Sequence, residues 1–370
     1  MLWIILFMLL PVAGVAYVSW HLWVLLPLAS GWKAAIITLG ILCFLSLFLD
    51  LSGRLDRMSL PLARILYTIG TSSLIVLLYA VMMFLLLDFG RLVGVVPRTW
   101  LHDSWTAAAC YLAVLSAVLI YGNVHYYNKV RVPLDIVTSK PLPRSYKAVM
   151  LSDLHLGYHN SRHELARWVD MINAEQPDMV LIAGDIVDIS VRPLEAEDMA
   201  AEFRRLSAPV YACLGNHEYY ATTPAARRFY SEAGIHLLSD SSTVVDGAIC
   251  IIGRDDRTNP RRNPVSSFII PHSSLFMILL DHQPYHLESA ERAGIDFQLS
   301  GHTHRGQVWP LSWITDAMYE CSWGSHQRGN TRYYVSSGIG IWGGKFRIGT
   351  QSEYVVATLS STASCSSPAR

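Results

Sequence analysis

The sequence predicts an α/β domain built on a buried sheet, preceded by an all-α membrane domain of four transmembrane helices. Three observations carry this. Charged residues are 16% of the 370-residue chain, against roughly 25% in typical soluble proteins. The deficit is local: residues 1–122 hold only Lys33, Asp50, Arg54, Asp56, Arg57, Arg64, Asp88, Arg91, Arg98 and Asp103. From residue 146 onward, short apolar runs alternate with amphipathic ones, the pattern of βαβ units around a largely buried sheet.

Four apolar stretches fill the first third, at about residues 2–28, 33–49, 65–87 and 104–121. Each reaches or approaches the ~20 residues that cross a bilayer. The first contains Pro11 and Pro27, which kink or end a helix, and His21. It lacks a basic leader region and a small-residue cleavage site, and three more stretches follow, so it reads as a span rather than a secretory leader. Basic loop residues set orientation. Arg54, Arg57, Arg64, Lys129, Arg131, Lys140 and Arg144 fall on the side of the N-terminus, against Lys33, Arg91 and Arg98 opposite. The expectation is a multi-pass protein of a plasma or inner membrane, with N-terminus and C-terminal half cytoplasmic.

The expected domains are 1–125 (membrane), 126–145 (linker, with Pro133, Pro141 and Pro143), 146–360 (catalytic) and 361–370 (a small, polar, disordered tail). A net charge of zero implies no global attraction to nucleic acid. The six cysteines are scattered without a Cys-x-x-Cys pair, so neither a disulfide framework nor a thiolate metal site is expected, which fits a reducing compartment.

In the catalytic part, strands are expected at Lys147 to Leu151, Met179 to Ala183, Val210 to Leu214, Leu275 to Leu280, Phe297 to Leu299, Tyr333 to Ser336 and Tyr354 to Leu359. Helical spacing covers His163 to Ala174, Ala196 to Leu206 and Pro224 to Ala233, and Asp246-Gly247 marks a hairpin turn. Five strands end in ligand-type residues: Asp153 and His155; Gly184-Asp185; Gly215-Asn216-His217-Glu218; Asp281-His282; and Gly301-His302-Thr303-His304. Ligands of open α/β sheets bind beyond the carboxyl ends of the strands, so these residues converge on one rim. Singly, Asp153 and Asp185 also suit helix N-caps, and Asn216 a turn. Together, carboxylate, amide oxygen and imidazole suit manganese, iron or zinc, in a number that exceeds one tetrahedral site and fits two ions sharing a carboxylate.

This series of blocks resembles the calcineurin-like metallophosphoesterases over about residues 146–360, and its framing resembles their membrane-anchored branch. Further marks of that branch are Leu279-Leu280-Asp281-His282-Gln283-Pro284, Gly306-Gln307-Val308, Gly338-Ile339-Gly340 and Arg347-Ile348-Gly349. The resemblance implies a four-layer αββα sandwich and two divalent metal ions. Asp153, His155 and His304 would hold one ion, Asn216, His282 and His302 the other, with Asp185 bridging. His217 would face the phosphoryl group and protonate the leaving oxygen, with Glu218 orienting its ring. Two residues depart from the pattern. Arg305 stands where relatives usually have Gly, and Arg254 where they usually have an apolar residue; both are candidates for binding substrate phosphate. The segment Arg254 to Pro271 is basic and reads as a covering loop or an exposed insertion. His159, His163, His286 and His326 are read as supporting or surface residues. The function implied is a membrane-bound phosphohydrolase on a phosphorylated, lipid-linked substrate, a UDP-2,3-diacylglucosamine-type pyrophosphatase being one candidate. The alternatives are a tethered phosphodiesterase or phosphoprotein phosphatase on soluble substrates, or a non-catalytic membrane sensor. Oligomeric state is not legible.

Overall fold

The computed structural model describes residues 2–268 and 274–362, with side chains from Leu9 onward. The chain divides into two compact units. One comprises residues 1–124 together with Gly343–Phe346, the other 125–342 with 347–370. Ile269, Ile270 and Pro271 of the basic segment, and the tail beyond Thr362, lie outside the described residues.

The first unit is helical, with helices Leu2–Leu25, Ser30–Leu45, Leu47–Leu51, Leu60–Leu92 and Trp105–Tyr127. Among the described residues three segments are long and apolar enough to cross a membrane: Ser30–Leu51, Leu60–Leu92 and Trp105–Tyr127. The described apolar part of the first helix, Leu9–Leu25, is shorter than a span. Three of the four expected spans are therefore clear among the described residues. The polar groups of this unit meet each other: His21 Nε2 lies 3.0 Å from Asp88 Oδ2, and Tyr17 donates to the same oxygen at 2.6 Å. Ionisable groups among apolar helices persist where they are paired in this way.

The second unit is built on twelve strands: β1 (Lys129–Thr138), β2 (Tyr146–Leu151), β3 (Met179–Ala183), β4 (Val210–Cys213), β5 (His236–Leu237), β6 (Ser241–Val245), β7 (Ile249–Gly253), β8 (Phe276–Leu280), β9 (Phe297–Ser300), β10 (Gly324–Arg328), β11 (Thr331–Val335) and β12 (Ser352–Ser361). They form two six-stranded sheets, ordered β1-β12-β2-β3-β4-β5 and β10-β11-β9-β8-β7-β6. The centre of each is parallel: β2, β3, β4 and β5 in the first, and β7, β8, β9 and β11 in the second. Lys129–Thr138, expected as linker, is an edge strand parallel to β12. Its Pro133 is tolerated because an edge strand has one unpaired side.

Alternation along β2 shows how the layers form. Val149 and Leu151 join the core beneath the helices, with Leu165, Trp168 and Phe229. Ala148 and Met150 face the other way and share a core with Ile251, Ile278, Leu280 and Leu299 of the second sheet. A third core backs the second sheet, where Cys250, Ile252 and Leu279 pack with Leu287 and Ala290. Helix, sheet, sheet and helix follow in order. The helix expected from His163 runs Arg162–Ala174, with Ser161 and Glu164 forming a capping box. The stretch expected as one helix from Ala196 is broken into Arg192–Ala196 and Met199–Phe203, with Asp198 between them in the left-handed region at φ 49°. The hairpin at Asp246-Gly247 has both residues at positive φ, and pairs β6 with β7. No disulfide forms among the described residues; Cys43, Cys110, Cys213, Cys250 and Cys321 are free.

Candidate metal centre

The ligand-type residues sit just past the ends of their strands, where regular pairing stops and the backbone turns. Asp153 (φ 54°), His155 (44°), Asp185 (53°), His302 (72°) and His304 (47°) all lie in the left-handed region. Each such residue costs roughly 1–3 kcal/mol and persists where its surroundings over-determine it. Neighbouring glycines allow the crowding. A Cβ on Gly301 would fall 2.3 Å from Asp153 Oδ2, and one on Gly215 would fall 2.1 Å from Asp185 Oδ1.

Two groups result. In the first, His155 Nε2 and His304 Nε2 stand 3.1 Å apart, and Asp153 Oδ1 lies 3.8 Å from the one and 3.6 Å from the other. In the second, Asp185 Oδ2 is 3.1 Å from His282 Nε2, and Asn216 Oδ1 is 2.8 Å from His302 Nδ1. Asp185 Oδ2 also reaches to 3.7 Å from His155 Nε2, so it stands between the groups. Asp153, His155 and His282 are fully buried.

These residues fit divalent metal ions. His282 Nδ1 lies 2.7 Å from the Ala183 carbonyl; a carbonyl only accepts, so Nδ1 carries the proton and Nε2 presents a lone pair. That nitrogen is buried and makes no hydrogen bond, which would be costly unless something else binds it. Burial brings His302 down to about 4 and lowers His304 as well. Both are then neutral, the form that ligates. Asp153, His155 and His304 form one set with ligand atoms within 4.8 Å of one another, and Asp185, His282 and His302 another.

His217 forms a third such group with His155 and Asp185, and its ring is held differently from expectation. Its Nδ1 is 3.0 Å from Asp188 Oδ1. Glu218, expected to orient the ring, instead accepts from the backbone N–H groups of Asp185 (3.2 Å), Val187 (3.0 Å) and Gly215 (2.7 Å). The reason is helical geometry: adjacent residues on one turn do not face each other, and both lie on the short helix Asn216–Tyr220. Glu218 therefore ties together the loops that carry Asp185 and Asn216. Asp188 was not anticipated. It is buried and also lies 3.4 Å from His155 Nδ1, so one carboxylate backs a ligand ring and the His217 ring together. Its only sequence signal is an acid at the third position after Asp185 in an otherwise apolar run. Burial opposes charge on His217, but Asp185 and Asp188 outweigh it and push the ring up to about 9. The partner imidazoles, against burial, hold both carboxylates well below the usual range.

The two arginines are placed apart. Arg254 Nη1 donates to Asp281 Oδ2 at 3.0 Å, and its Nε to the Asn263 carbonyl. Arg262 takes the other Asp281 oxygen at 3.0 Å. Arg254 thus neutralises the acid next to His282. Arg305 is half-buried, with its guanidinium 4.3 Å over the Trp323 ring. His159 Nε2 lies 2.7 Å from the Ile341 carbonyl. His286 and His326 pair with Glu288 and Glu320, and His163 is exposed.

Comparison with known proteins gives the family. The calcineurin-like phosphoesterase profile matches residues 146–306. An uncharacterized metallophosphoesterase of Campylobacter jejuni is 31% identical over 257 residues, covering 67% of this chain and 68% of that protein. A transmembrane protein with metallophosphoesterase domain from Danio rerio is 30% identical over 306 residues, covering 74% and 70%. The uncharacterized metallophosphoesterase YkuE of Bacillus subtilis is 30% identical over 274 residues, covering 68% and 94%. With its ligand-type residues gathered at the strand ends and these relatives along most of its length, the chain belongs to the calcineurin-like metallophosphoesterases, a family of metal-dependent hydrolytic phosphoesterases.

Proposed function

We propose that the protein is an integral membrane phosphohydrolase that cleaves a phosphoester, phosphodiester or pyrophosphate bond in a lipid-linked substrate. Asp153, His155 and His304 would hold one divalent ion, and Asn216, His282 and His302 a second, with Asp185 shared. Divalent ions there, manganese, zinc or iron by the donor set, supply water activation and neutralise phosphoryl charge. The chain's own residues do the rest. His217, protonated and steadied by Asp188, donates a proton to the leaving oxygen. Glu218 holds the Asp185 and Asn216 loops in register. Arg305, stacked on Trp323, offers a planar cation for a phosphate oxygen.

The observation that carries the hydrolytic reading is the set of ligand-type residues with His217 beside it. The lipid-linked reading rests on the helical unit. A cavity of about 780 Å³ lies among its helices, lined by side chains such as Val18, Leu22, Ile37, Ile41, Val76 and Tyr111. One transmembrane helix already anchors a protein effectively irreversibly, so further spans and an apolar cavity favour recognition of an acyl chain. Of the basic residues after the last helix, Arg131, Lys140 and Arg144 are ion-paired with Glu175, Asp296 and Asp178, so the lipid-linked reading does not draw on their charge. The proposal takes the site to face the cytoplasm, with the first helix as a fourth span.

The test compares kcat/KM on lipid-linked pyrophosphate, lipid-linked phosphodiester and water-soluble phosphodiesters for the full chain and for Ser73→Trp, which fills the cavity. The expected result is a raised KM for acylated substrates only. Equal effects on acylated and soluble substrates would reduce the helices to an anchor.

A further inference from the structure

The most unusual charge outside the ligand sets is Arg347. The residue is 0% exposed, and among the described residues its hydrogen bonds go to no carboxylate. Its guanidinium is spent on backbone carbonyls: Nη1 donates to His304 at 2.9 Å, and Nη2 to Ser337 and to Gly340 at 3.1 Å. Its Nε donates to Ser352 Oγ at 3.3 Å. Burial pulls the group down to about 10, with Asp153 and Glu353 opposing, so it remains charged at neutral pH. Burying a charge costs several kcal/mol even when paired, which makes this a poor way to gain stability alone.

The acceptors of Arg347 belong to the first ligand set and the turn beneath it. His304 is itself a ligand-type residue. Gly340 N donates to the Asp153 carbonyl at 3.1 Å and Ile339 N to the Ser152 carbonyl at 3.2 Å. A Cβ on Gly338 would fall 2.9 Å from Asp153 Cβ and 3.3 Å from His304 Nδ1. One side chain thus fastens the His304 backbone to the turn that supports Asp153, and both residues hold left-handed backbone.

The four residues before Arg347 add a second element. Gly343–Phe346 cluster with the helical unit, while Trp342 and Arg347 on either side belong to the catalytic unit. Within the helical unit, Asn123 Nδ2 donates to the Lys345 carbonyl at 2.9 Å. A Cβ on Gly344 would fall 2.9 Å from Ser72 Cα.

Resting on the two-ion reading above, we propose that Arg347 is a positioning residue for the Asp153–His155–His304 set, and that the Gly343–Phe346 segment, held among the helices, sets its placement through chain continuity. The ligand geometry of this set then depends on the helical unit, while that of Asp185, His282 and His302 does not.

The experiment titrates the full chain in detergent with Mn²⁺, reading stoichiometry and the electron paramagnetic resonance spectrum. Wild type takes two ions with a spin-coupled signal. Arg347→Met is expected to bind the ion of the first set roughly 10–100-fold more weakly, as on loss of a partner behind a ligand, leaving a mononuclear signal. Arg347→Lys keeps the charge but not the planar fork and falls between. Gly344→Val disturbs the segment without touching a ligand and produces the same selective weakening. If Arg347→Met fails to fold, Arg347→Lys and Gly344→Val decide on the same criterion. Two ions at wild-type affinity in every folded variant would overturn the proposal. A wild-type chain that takes only one ion overturns the two-ion reading together with it.

Discussion

The two sheets of the catalytic unit have equal strand number and parallel centres, but they bring different chemistry to the rim. The first supplies the carboxylates, the amide and one ligand imidazole: Asp153 and His155 after β2, Asp185 and Asp188 after β3, Asn216 and Glu218 after β4. The second supplies imidazoles, His282 after β8, then His302 and His304 after β9. Its nearby acid, Asp281, is neutralised by Arg254 and Arg262. Neither sheet alone presents a complete ligand set. The carboxylate-rich half and the imidazole half meet because the apolar layer between the sheets brings their ends together. Metal binding should therefore couple to sheet packing.

The largest effect is expected at Asp185, the one carboxylate near both groups. Asp185→Ala removes both ions and activity together, because two close cations lose shared neutralisation; metal analysis of the purified variant checks this, and full occupancy would sink the bridging role. Next, His217→Ala retains both ions and slows turnover by about 10²–10⁴-fold. The loss should shrink for an activated nitrophenyl ester, whereas equal losses for good and poor leaving groups would make His217 a phosphate-positioning residue.

Chelation tests the coupling between sheets. Ligand at ~100 times its dissociation constant adds about 2.7 kcal/mol of stability, so stripping metal should lower Tm, and the shift should be lost in Asp185→Ala. An unchanged Tm on chelation would mean the sheets pack independently of metal. Arg254→Gln separates two roles for that residue. Left to Arg262 alone, Asp281 loses a buried charged partner, and stability should fall by about 1–3 kcal/mol with KM unchanged; a raised KM at wild-type stability would assign Arg254 to substrate.

The smallest effect concerns the edge of the first sheet. Arg131 on β1 donates to Glu175 at 2.7 Å and thereby lowers the Glu175 pKa. A depressed carboxylate contributes stability that is present above its unfolded pKa, about 4.3, and fades as pH falls through the folded value. Glu175→Gln should cost roughly 0.2–1 kcal/mol at pH 7 and nothing once both forms are protonated. Denaturant midpoints at the two pH values measure it, and a pH-independent difference would rule out the ion pair.

Local signals made much of this protein legible in sequence. The apolar stretches, the βαβ rhythm and the five strand-end blocks depend on residues within a few positions of each other, where periodicity and ligand chemistry leave a direct mark. His302 and His304 are recognisable from one tripeptide. What only the tertiary structure decided are pairings between distant segments. β1 looked like a linker because its partner, β12, lies at the far end of the domain. Glu218 looked like the partner of His217 because it is adjacent in sequence. On a helical turn adjacency separates side chains, and the ring turns instead to Asp188, brought in from after β3. Arg347 showed no role from its neighbours, since its contacts are carbonyls of residues such as His304 and Gly340. Backbone acceptors leave no trace in residue type, so only the folded chain could reveal what that charge holds.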